Sequence, residues 1–266
     1  MDFKNPKFML DKVSKYNFKS QKIIKTNDLN FLQTNLKPLD FLANHELINN
    51  FKNINDFHKK INNILNEGGI YLTCTETLEI RRKMRNKYPF GFKNIFRIID
   101  FFFNRVCSKL PILRNIYFII THGRYKVISK TETIGRLIAC GFKILEHFEY
   151  KNRLYILSKK IKKPNDKIKA SNGILCRFER IGFNGKTIGI YKIRTMYPYS
   201  EYLQSELFKL ESLNKDGDKI ENDFRVTTWG KYFRKFWIDE IPQILNIIKG
   251  DISIVGVRAL SKEKFN

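Results

Sequence analysis

The sequence has few cysteines and histidines, and it lacks an apolar run near its start. Its four cysteines are Cys74, Cys107, Cys140 and Cys176, and no two of them stand at a metal-ligand or redox spacing. The four histidines are equally scattered, so the sequence does not indicate a zinc site. Residues 1–20 lack the apolar segment of a signal peptide. We therefore expect reduced thiols and a location on the cytoplasmic side of any membrane.

Acidic residues are scarce relative to basic ones. The 266 residues include 50 Lys and Arg against 26 Asp and Glu, which gives a formal net charge of +24. Such an imbalance indicates an anionic partner, which could be nucleic acid, lipid headgroups or a phosphorylated substrate. Lysine outnumbers arginine and no nucleic-acid-binding motif is present, so a membrane and a phosphorylated substrate are favoured over nucleic acid.

The first 160 residues are predicted to form an α/β domain, because helical and strand-like patterns alternate. The predicted elements are a helix at Phe41–Leu65 ended by Glu67-Gly68-Gly69, a buried strand at Ile70–Cys74, a helix at Thr131–Cys140 ended by Gly141, and strands at Phe142–Leu145 and Arg153–Leu157. Two of these pieces, LNEGGIYLTC and TIGRLIACGFKILEHFEYKNRLYILSKK, resemble the second half of a class I methyltransferase-like fold, over about residues 40–160. The cofactor loop of that family belongs to its first half, which has no counterpart before Phe41. The resemblance implies an incomplete Rossmann half of unknown role and no methyl transfer.

Residues 95–120 form the most apolar region of the chain. The region is long enough to cross a bilayer, but five charged residues interrupt it and Pro111 lies near its middle. We therefore predict two short helices instead of a spanning helix. Two interpretations stay open: the helices lie in a membrane interface with their basic residues at the headgroups, or they form a buried pair within the α/β domain. Residues 161–172 are basic and aperiodic, which predicts a linker to a second domain at 173–266.

The second domain begins with a predicted β-hairpin, CRFERIGFNGKTIGIYKIRTM. Asn184-Gly185 is typical of a type I′ turn, in which both central residues need positive φ. By strand alternation, Lys192 and Arg194 share one face and could bind a phosphate, although a solvated strand edge is the favoured explanation when they are taken alone. A charged helix is predicted at Tyr202–Leu213, and Thr227 or Thr228 is predicted to cap a later helix.

The segment WIDEIPQILNIIKGD places Asp239 at a predicted helix N-cap and Glu240 in the first turn. A helix N-terminus stabilises an ionised carboxylate and also favours a phosphate. A carboxylate beside a bound phosphate is the arrangement that an acyl-phosphate intermediate requires. Taken alone, the pair is better explained as an ordinary capping Asp followed by a first-turn Glu. Further on, Gly256 would allow close approach of a ligand to the backbone, and Arg258 offers planar donors for phosphate oxygens.

Two segments in this order, RIGFNGKTIGIYKIRTM and FRVTTWGKYFRKFWIDEIPQILNIIKGDISIVGVR, resemble the bacterial sugar transferases, which are monotopic phosphoglycosyl transferases. The resemblance covers about residues 173–260 and implies an α+β phosphoglycosyl transferase catalytic domain. It implies transfer of a sugar 1-phosphate from a UDP-sugar to a polyprenyl phosphate, as the first step of exopolysaccharide, O-antigen or glycoconjugate synthesis. It further implies a peripheral or monotopic protein on an anionic membrane surface, the cytoplasmic face of the bacterial inner membrane.

The resemblance also assigns roles to individual residues. It implies that Asp239 is the nucleophile, that Glu240 binds Mg²⁺ or assists proton transfer, and that Arg258 binds phosphate. Weaker correspondences imply that four further cations shape the anionic site: Lys192, Arg194, Arg225 and Arg234. Mg²⁺ is expected because a pyrophosphate must be neutralised before a carboxylate attacks it. Nucleic acid is not expected as a partner, and association with a second copy of the chain stays open.

Three departures from that family are visible. A re-entrant membrane helix usually precedes the hairpin, where this chain has the basic linker. The family usually has glycine-proline-arginine-proline at Gly256-Val257-Arg258-Ala259. Its members also continue beyond the position of Asn266, so we expect a truncated domain. An alternative function therefore stays open, a catalytically inactive membrane-associated homologue that acts as a binding partner.

Overall fold

The computed structural model describes residues 18–26, 38–86, 92–107, 111–122, 124–164, 168, 173–203, 223–257 and 259–260. The chain is a mixed α/β protein that divides into two compact units, Met1–Ile168 and Lys169–Asn266. The predicted domain boundaries at 160 and 173 stay predictions, since residues 165–167 and 169–172 lie outside the described part of the chain.

The N-terminal unit contains a five-stranded sheet in the order β1-β2-β3-β5-β4. Its strands are β1 (Gln21–Ile24), β2 (Leu39–Leu47), β3 (Leu65–Thr75), β4 (Phe142–Tyr150) and β5 (Arg153–Lys160). Its helices are α1 (Ile54–Ile64), α2 (Leu78–Arg85), α3 (Phe92–Phe101), α4 (Pro111–Thr121) and α5 (Lys130–Ala139), with a π-helical turn at Phe102–Cys107. The strands β1, β2 and β3 are parallel, whereas β5 runs antiparallel to both of its neighbours.

The predicted helix at Phe41–Leu65 is wrong in its first half. Residues 41–47 belong to β2, Ile48–Asn50 form a 3₁₀ turn, and Ile54–Ile64 is α-helical. Strand β2 lies between β1 and β3, and its Phe41, Leu42 and Ala43 are all buried. A strand that is buried on both faces carries a continuous apolar run, which periodicity alone does not separate from a helix.

The remaining elements predicted in the N-terminal unit are confirmed, with longer strands. Ile70–Cys74 lies within β3, the helix before Gly141 is α5, and β4 pairs with β5. Gly68 lies inside β3 and does not end a helix, although its φ of 76° shows a local irregularity. Pro111 begins α4, so the apolar region is two helices, as predicted. Within the described residues, no helix is both long enough and apolar enough to span a bilayer.

The C-terminal unit begins with a hairpin of β6 (Leu175–Ile181) and β7 (Thr187–Ile193). Asn184 and Gly185 have φ of 53° and 73°, and the Lys186 N–H donates to the Phe183 carbonyl at 3.2 Å. These values confirm the type I′ turn. Helix α6 (Thr228–Lys235) is capped by Thr227, as predicted.

The segment that carries Asp239 differs in detail from its prediction. A 3₁₀ helix at Ile238–Gln243 leads into the short α7 (Ile244–Ile248). The N-cap is Trp237, whose φ is 60°, and Asp239 lies in the first turn instead of at the cap. The reason is a reversal of the chain at Trp237, whose carbonyl accepts from the Glu240 N–H at 3.0 Å. The helix predicted at 202–213 lies mainly outside the described residues, which stop at 203 and resume at 223.

Candidate active site

The 3₁₀ helix that carries the two predicted catalytic acids packs beside β7. Lys192, on β7, donates from Nζ to Oε1 of Glu240 at 2.6 Å, and both side chains are half-buried. Charge-assisted bonds of this length are stronger than neutral ones, particularly away from bulk water. The contact therefore fixes Glu240 and joins the hairpin to the acidic turn.

Asp239 has different surroundings from Glu240. Its side chain is only 9% exposed. Among the described residues, no hydrogen bond or ion pair reaches the Asp239 carboxylate. A largely buried carboxylate that accepts no hydrogen bond has lone pairs available for a reacting atom. Glu240 already accepts a hydrogen bond from the Lys192 ammonium group, so its carboxylate is less suited to nucleophilic attack.

Arg234 supplies the positive charge that acts on Asp239. Its Nε donates to Oγ1 of Thr195 at 2.9 Å, which fixes the direction of the guanidinium. Burial lowers the pKa of Arg234, while the charges of Asp239 and Asp223 raise it. The arginine stays charged at neutral pH. The structure therefore places this predicted cation in the electrostatic environment of the predicted nucleophile.

Arg225 forms a forked contact with Asp223. Its Nε lies 2.9 and 3.0 Å from the two carboxylate oxygens, and its Nη2 lies 2.7 Å from Oδ2. Only 3% of Arg225 is exposed. Bidentate pairing of this kind fixes a guanidinium in one plane. Asp223 was not singled out from the sequence, because a single acid in a polar loop gives no signal there.

Two further predicted phosphate-binding residues have other positions. Arg194 lies one residue beyond β7, and its Nε donates to the Gly173 carbonyl at 2.8 Å. This contact places Arg194 at the beginning of β6. Arg258 lies outside the described residues, although Leu260, two positions later, accepts from the N–H of Ile181 at 2.8 Å. The roles predicted for both arginines stay predictions.

Asn246 is a site-supporting residue that the sequence analysis did not identify. It is fully buried, and its Oδ1 accepts from the Tyr191 N–H at 3.0 Å. Its Nδ2 donates to the Gly189 carbonyl at 2.7 Å and to Oδ2 of Asp251 at 3.0 Å. The only available signal was one amide within the apolar run ILNII. These bonds hold α7 against β7, and thereby position the acidic turn that precedes α7.

The residues of the acidic turn suit a hard cation. Mg²⁺ prefers carboxylate and phosphate oxygens, and it is commonly held by one or two carboxylates together with substrate phosphates. Asp239 and Glu240 supply two such carboxylates. Within the described residues, no group of three potential metal ligands lies together.

Comparison with known proteins finds relatives of the C-terminal unit. Residues 166–266 match the bacterial sugar transferase family. This match spans the C-terminal unit, Lys169–Asn266. Its relatives include an exopolysaccharide production protein of Sinorhizobium fredii, 38% identical over 103 residues, which are 36% of this chain and 46% of that protein. An undecaprenyl-phosphate galactose phosphotransferase of Salmonella typhimurium is 36% identical over 91 residues, covering 32% of this chain and 19% of that protein.

A third relative is a galactosyl transferase of Streptococcus agalactiae, 37% identical over 86 residues, 32% of this chain and 19% of that protein. The chain spans less than half the length of each of these relatives. Among solved structures, an O-methyltransferase from Planctomyces limnophilus is similar over 48% of this chain and 32% of its own, with 14% identity. Its TM-score of 0.30 is too low to establish a shared fold.

Proposed function

We propose that this protein transfers a sugar 1-phosphate from a UDP-sugar to a membrane polyprenyl phosphate, as the first step in building a surface polysaccharide or glycoconjugate. The observation that carries the proposal is the contrast between two neighbouring acids in a segment that matches the sugar transferase family: Asp239 is buried and accepts no hydrogen bond from the described residues, whereas Glu240 is ion-paired with Lys192. The names of the Salmonella and Sinorhizobium relatives support this substrate class and this pathway position.

In the proposed reaction, an oxygen of the Asp239 carboxylate attacks the phosphorus that bears the sugar. A bond forms between that oxygen and phosphorus, and the bond to the bridging oxygen of the pyrophosphate breaks, which releases UMP. An oxygen of the polyprenyl phosphate then attacks the same phosphorus. This second step releases the Asp239 carboxylate and gives the polyprenyl diphosphate sugar.

The cations near the acidic turn have separate proposed roles. Arg234 stabilises the charge on Asp239 and on the incoming phosphates, because its guanidinium is held in place by Thr195. Lys192 orients Glu240. Mg²⁺, when bound through Glu240 and the substrate pyrophosphate, supplies charge neutralisation. Arg225, Arg194 and Arg258 are proposed to shape the wider anionic site.

The C-terminal unit is proposed to contact the cytoplasmic face of the bacterial inner membrane, as a peripheral or monotopic protein. Trp229 and Tyr232 of α6 are exposed, and so are Phe236 and Trp237, which follow the helix. Lys231 and Lys235 are exposed on the same helix. Aromatic and basic side chains are enriched where protein surfaces meet lipid headgroups. In the N-terminal unit, the order of helices and strands supports an incomplete methyltransferase-like half.

The proposal is tested by measuring UMP release from a panel of UDP-sugars with polyprenyl phosphate and Mg²⁺. Asp239→Asn should lower the rate by at least about a thousandfold, because an amide is a poor nucleophile. Without the acceptor, mass spectrometry of the parent protein should find a hydroxylamine-sensitive phosphosugar adduct on Asp239. Glu179→Gln, an exposed carboxylate of the same unit, is the matched control and should leave the rate unchanged. Unimpaired release by Asp239→Asn would refute the nucleophile, and no release by the parent would favour the inactive homologue.

A further inference from the structure

The helices α3 and α4 of the N-terminal unit expose apolar stripes. Ile95, Ile98, Ile99 and Phe102 follow the spacing i, i+3, i+4, i+7, and each is 54–69% exposed. On α4, Ile116, Ile119 and Ile120 follow i, i+3, i+4 and are 51–74% exposed. This spacing normally marks the face of a helix that is buried against a core. Here the same face points outward, and we call these seven residues the outer face.

Polar groups occupy the opposite side of this helical pair. Asp100 accepts from Nη2 of Arg85 at 2.6 Å and from Nδ2 of Asn104 at 2.7 Å. The hydroxyl of Tyr117 reaches Asn104 at 3.3 Å, and Tyr117 itself is 1% exposed. The helices are thus anchored by a polar network, with the isoleucines directed away from it. Two helices with a polar inner side and an apolar outer side are expected to contact an apolar surface or medium through the outer side.

The basic residues in the same part of the sequence indicate what the outer face contacts. Residues 81–126 contain twelve Lys and Arg and one acidic residue, Asp100. A protein partner would need a large acidic surface that also had an apolar centre. An anionic bilayer offers both properties over any area, with phosphates at the level of the headgroups and hydrocarbon beneath them. The charge pattern therefore favours a membrane over a protein.

An arginine-lined cavity lies where the outer face meets α2. Its volume is about 400 Å³, and Arg81, Arg82, Arg85, Asp100 and Ile98 are among its lining residues. Arg85 pairs with Asp100, and Nε of Arg81 lies 3.8 Å from the same carboxylate. Arg81 also lies 3.5 Å from Glu76, so two carboxylates face the three guanidinium groups of the lining and the cavity retains a net positive charge. Ile98 belongs both to the cavity and to the outer face. A single lipid could therefore place its phosphate against the arginines and its acyl chain against the outer face.

We propose that α3 and α4 lie flat on an anionic phospholipid bilayer, with the outer face in the hydrocarbon boundary and lipid phosphates at the arginine-lined cavity. The N-terminal unit thereby attaches the chain to the membrane through its own surface. This attachment goes beyond the proposed transfer reaction, and it is measured without any turnover.

The test is co-sedimentation of the full chain with vesicles of phosphatidylglycerol and phosphatidylcholine. We compare the parent with Ile98→Asp/Ile119→Asp, and with the matched control Ile161→Asp, an exposed isoleucine of the same unit outside these helices. The double variant should weaken binding to phosphatidylglycerol vesicles by at least about tenfold, because two apolar contacts become charged. The control should bind as the parent does, and Arg82→Gln should weaken binding several-fold more than Lys143→Gln.

A second measurement guards against misfolding of the double variant. In Ile119→Trp, the added tryptophan should show a blue-shifted emission when phosphatidylglycerol vesicles are added, relative to the parent spectrum. Unchanged vesicle binding in the double variant, or no shift in Ile119→Trp, would overturn the proposal. So would a dimer of the parent in solution that Ile98→Asp/Ile119→Asp dissociates while vesicle binding is absent, because the outer face would then bind a second copy. Loss of vesicle binding with normal UMP release would leave the transferase proposal intact.

Discussion

Asp239 and Glu240 are adjacent in sequence, yet their side chains have unlike surroundings. Glu240 is paired with Lys192 at 2.6 Å, whereas the Asp239 carboxylate accepts no hydrogen bond from the described residues. The sequence marks the pair, because DE before a proline in a helix start is a recognisable pattern. It does not separate the two roles, since the difference depends on a strand 48 positions earlier in the chain.

The ion pair between Lys192 and Glu240 gives a prediction about the rate of transfer. Lys192→Gln should lower the rate of UMP release by about 10-fold or more, because it removes a charged bond to Glu240 of roughly 1.5–3 kcal/mol. The rate is measured at saturating UDP-sugar, and the unfolding midpoint is measured alongside. Lys186→Gln removes an exposed lysine of the same hairpin and should have no effect. Equal rates for the two variants would show that the ion pair is not needed.

His58 gives a prediction about pH. It is fully buried beside Tyr71, and burial followed by the charge of Arg136 lowers its pKa to about 3. Neither ring nitrogen has a hydrogen-bond partner among the described residues. In the unfolded chain His58 takes up a proton near pH 6.5, whereas in the folded protein it stays neutral until the pH falls to about 3. Above pH 6.5 His58 therefore does not lower the free energy of unfolding, and this free energy falls as the pH falls from 6.5 towards 3.

At pH 5 the loss attributable to His58 should be about 2 kcal/mol relative to pH 7.5. Urea unfolding at both pH values measures the free energy of unfolding for the parent and for His58→Leu. The variant should lose about 2 kcal/mol less than the parent on acidification. An identical loss in both proteins would mean that His58 does not resist protonation.

At the scale of elements, α6 depends on a close approach between its backbone and Thr195, which lies just beyond β7. Thr227 caps the helix through the Gly230 N–H and also donates to the Thr195 carbonyl at 3.0 Å. A Cβ at Gly230 would lie 2.2 Å from that carbonyl oxygen. The sequence predicts the cap, but the need for glycine follows only from the packing of α6 on residue 195.

Gly230→Ala should therefore destabilise the C-terminal unit, although alanine is the better helix former by about 1 kcal/mol. The clash should outweigh that gain and give a net loss of about 1–3 kcal/mol. Urea unfolding followed by Trp229 and Trp237 fluorescence measures it, since both tryptophans lie in this unit. In Gly256→Ala the new Cβ has 3.7 Å to its nearest neighbour, so the change should stay within about 0.5 kcal/mol. A stabilised Gly230→Ala would contradict the packing.

At the scale of the whole molecule, the excess of 24 positive charges acts on stability as well as on partners. Like charges repel within a compact chain, and salt screens the repulsion. Raising NaCl from 0.1 to 0.5 M should raise the midpoint of thermal unfolding by about 2–4 °C, which corresponds to roughly 1 kcal/mol for a chain of this size. Circular dichroism measures the midpoint. A midpoint that fell with salt would indicate that favourable ion pairs outweigh the repulsion.

The sequence by itself determined the mixed α/β class, the hairpin at Asn184-Gly185, the break at Pro111, the cap at Thr227 and the family of the C-terminal unit. These features depend on neighbouring residues or on short motifs, which a linear reading contains. Only the tertiary structure decided that residues 41–47 form a strand, because burial on both faces conceals its period. Only the tertiary structure also paired Lys192 with Glu240, left Asp239 without a hydrogen bond from the described residues and turned the isoleucines of α3 and α4 outward. Each of these outcomes depends on contacts between distant parts of the chain, and no local pattern specifies them.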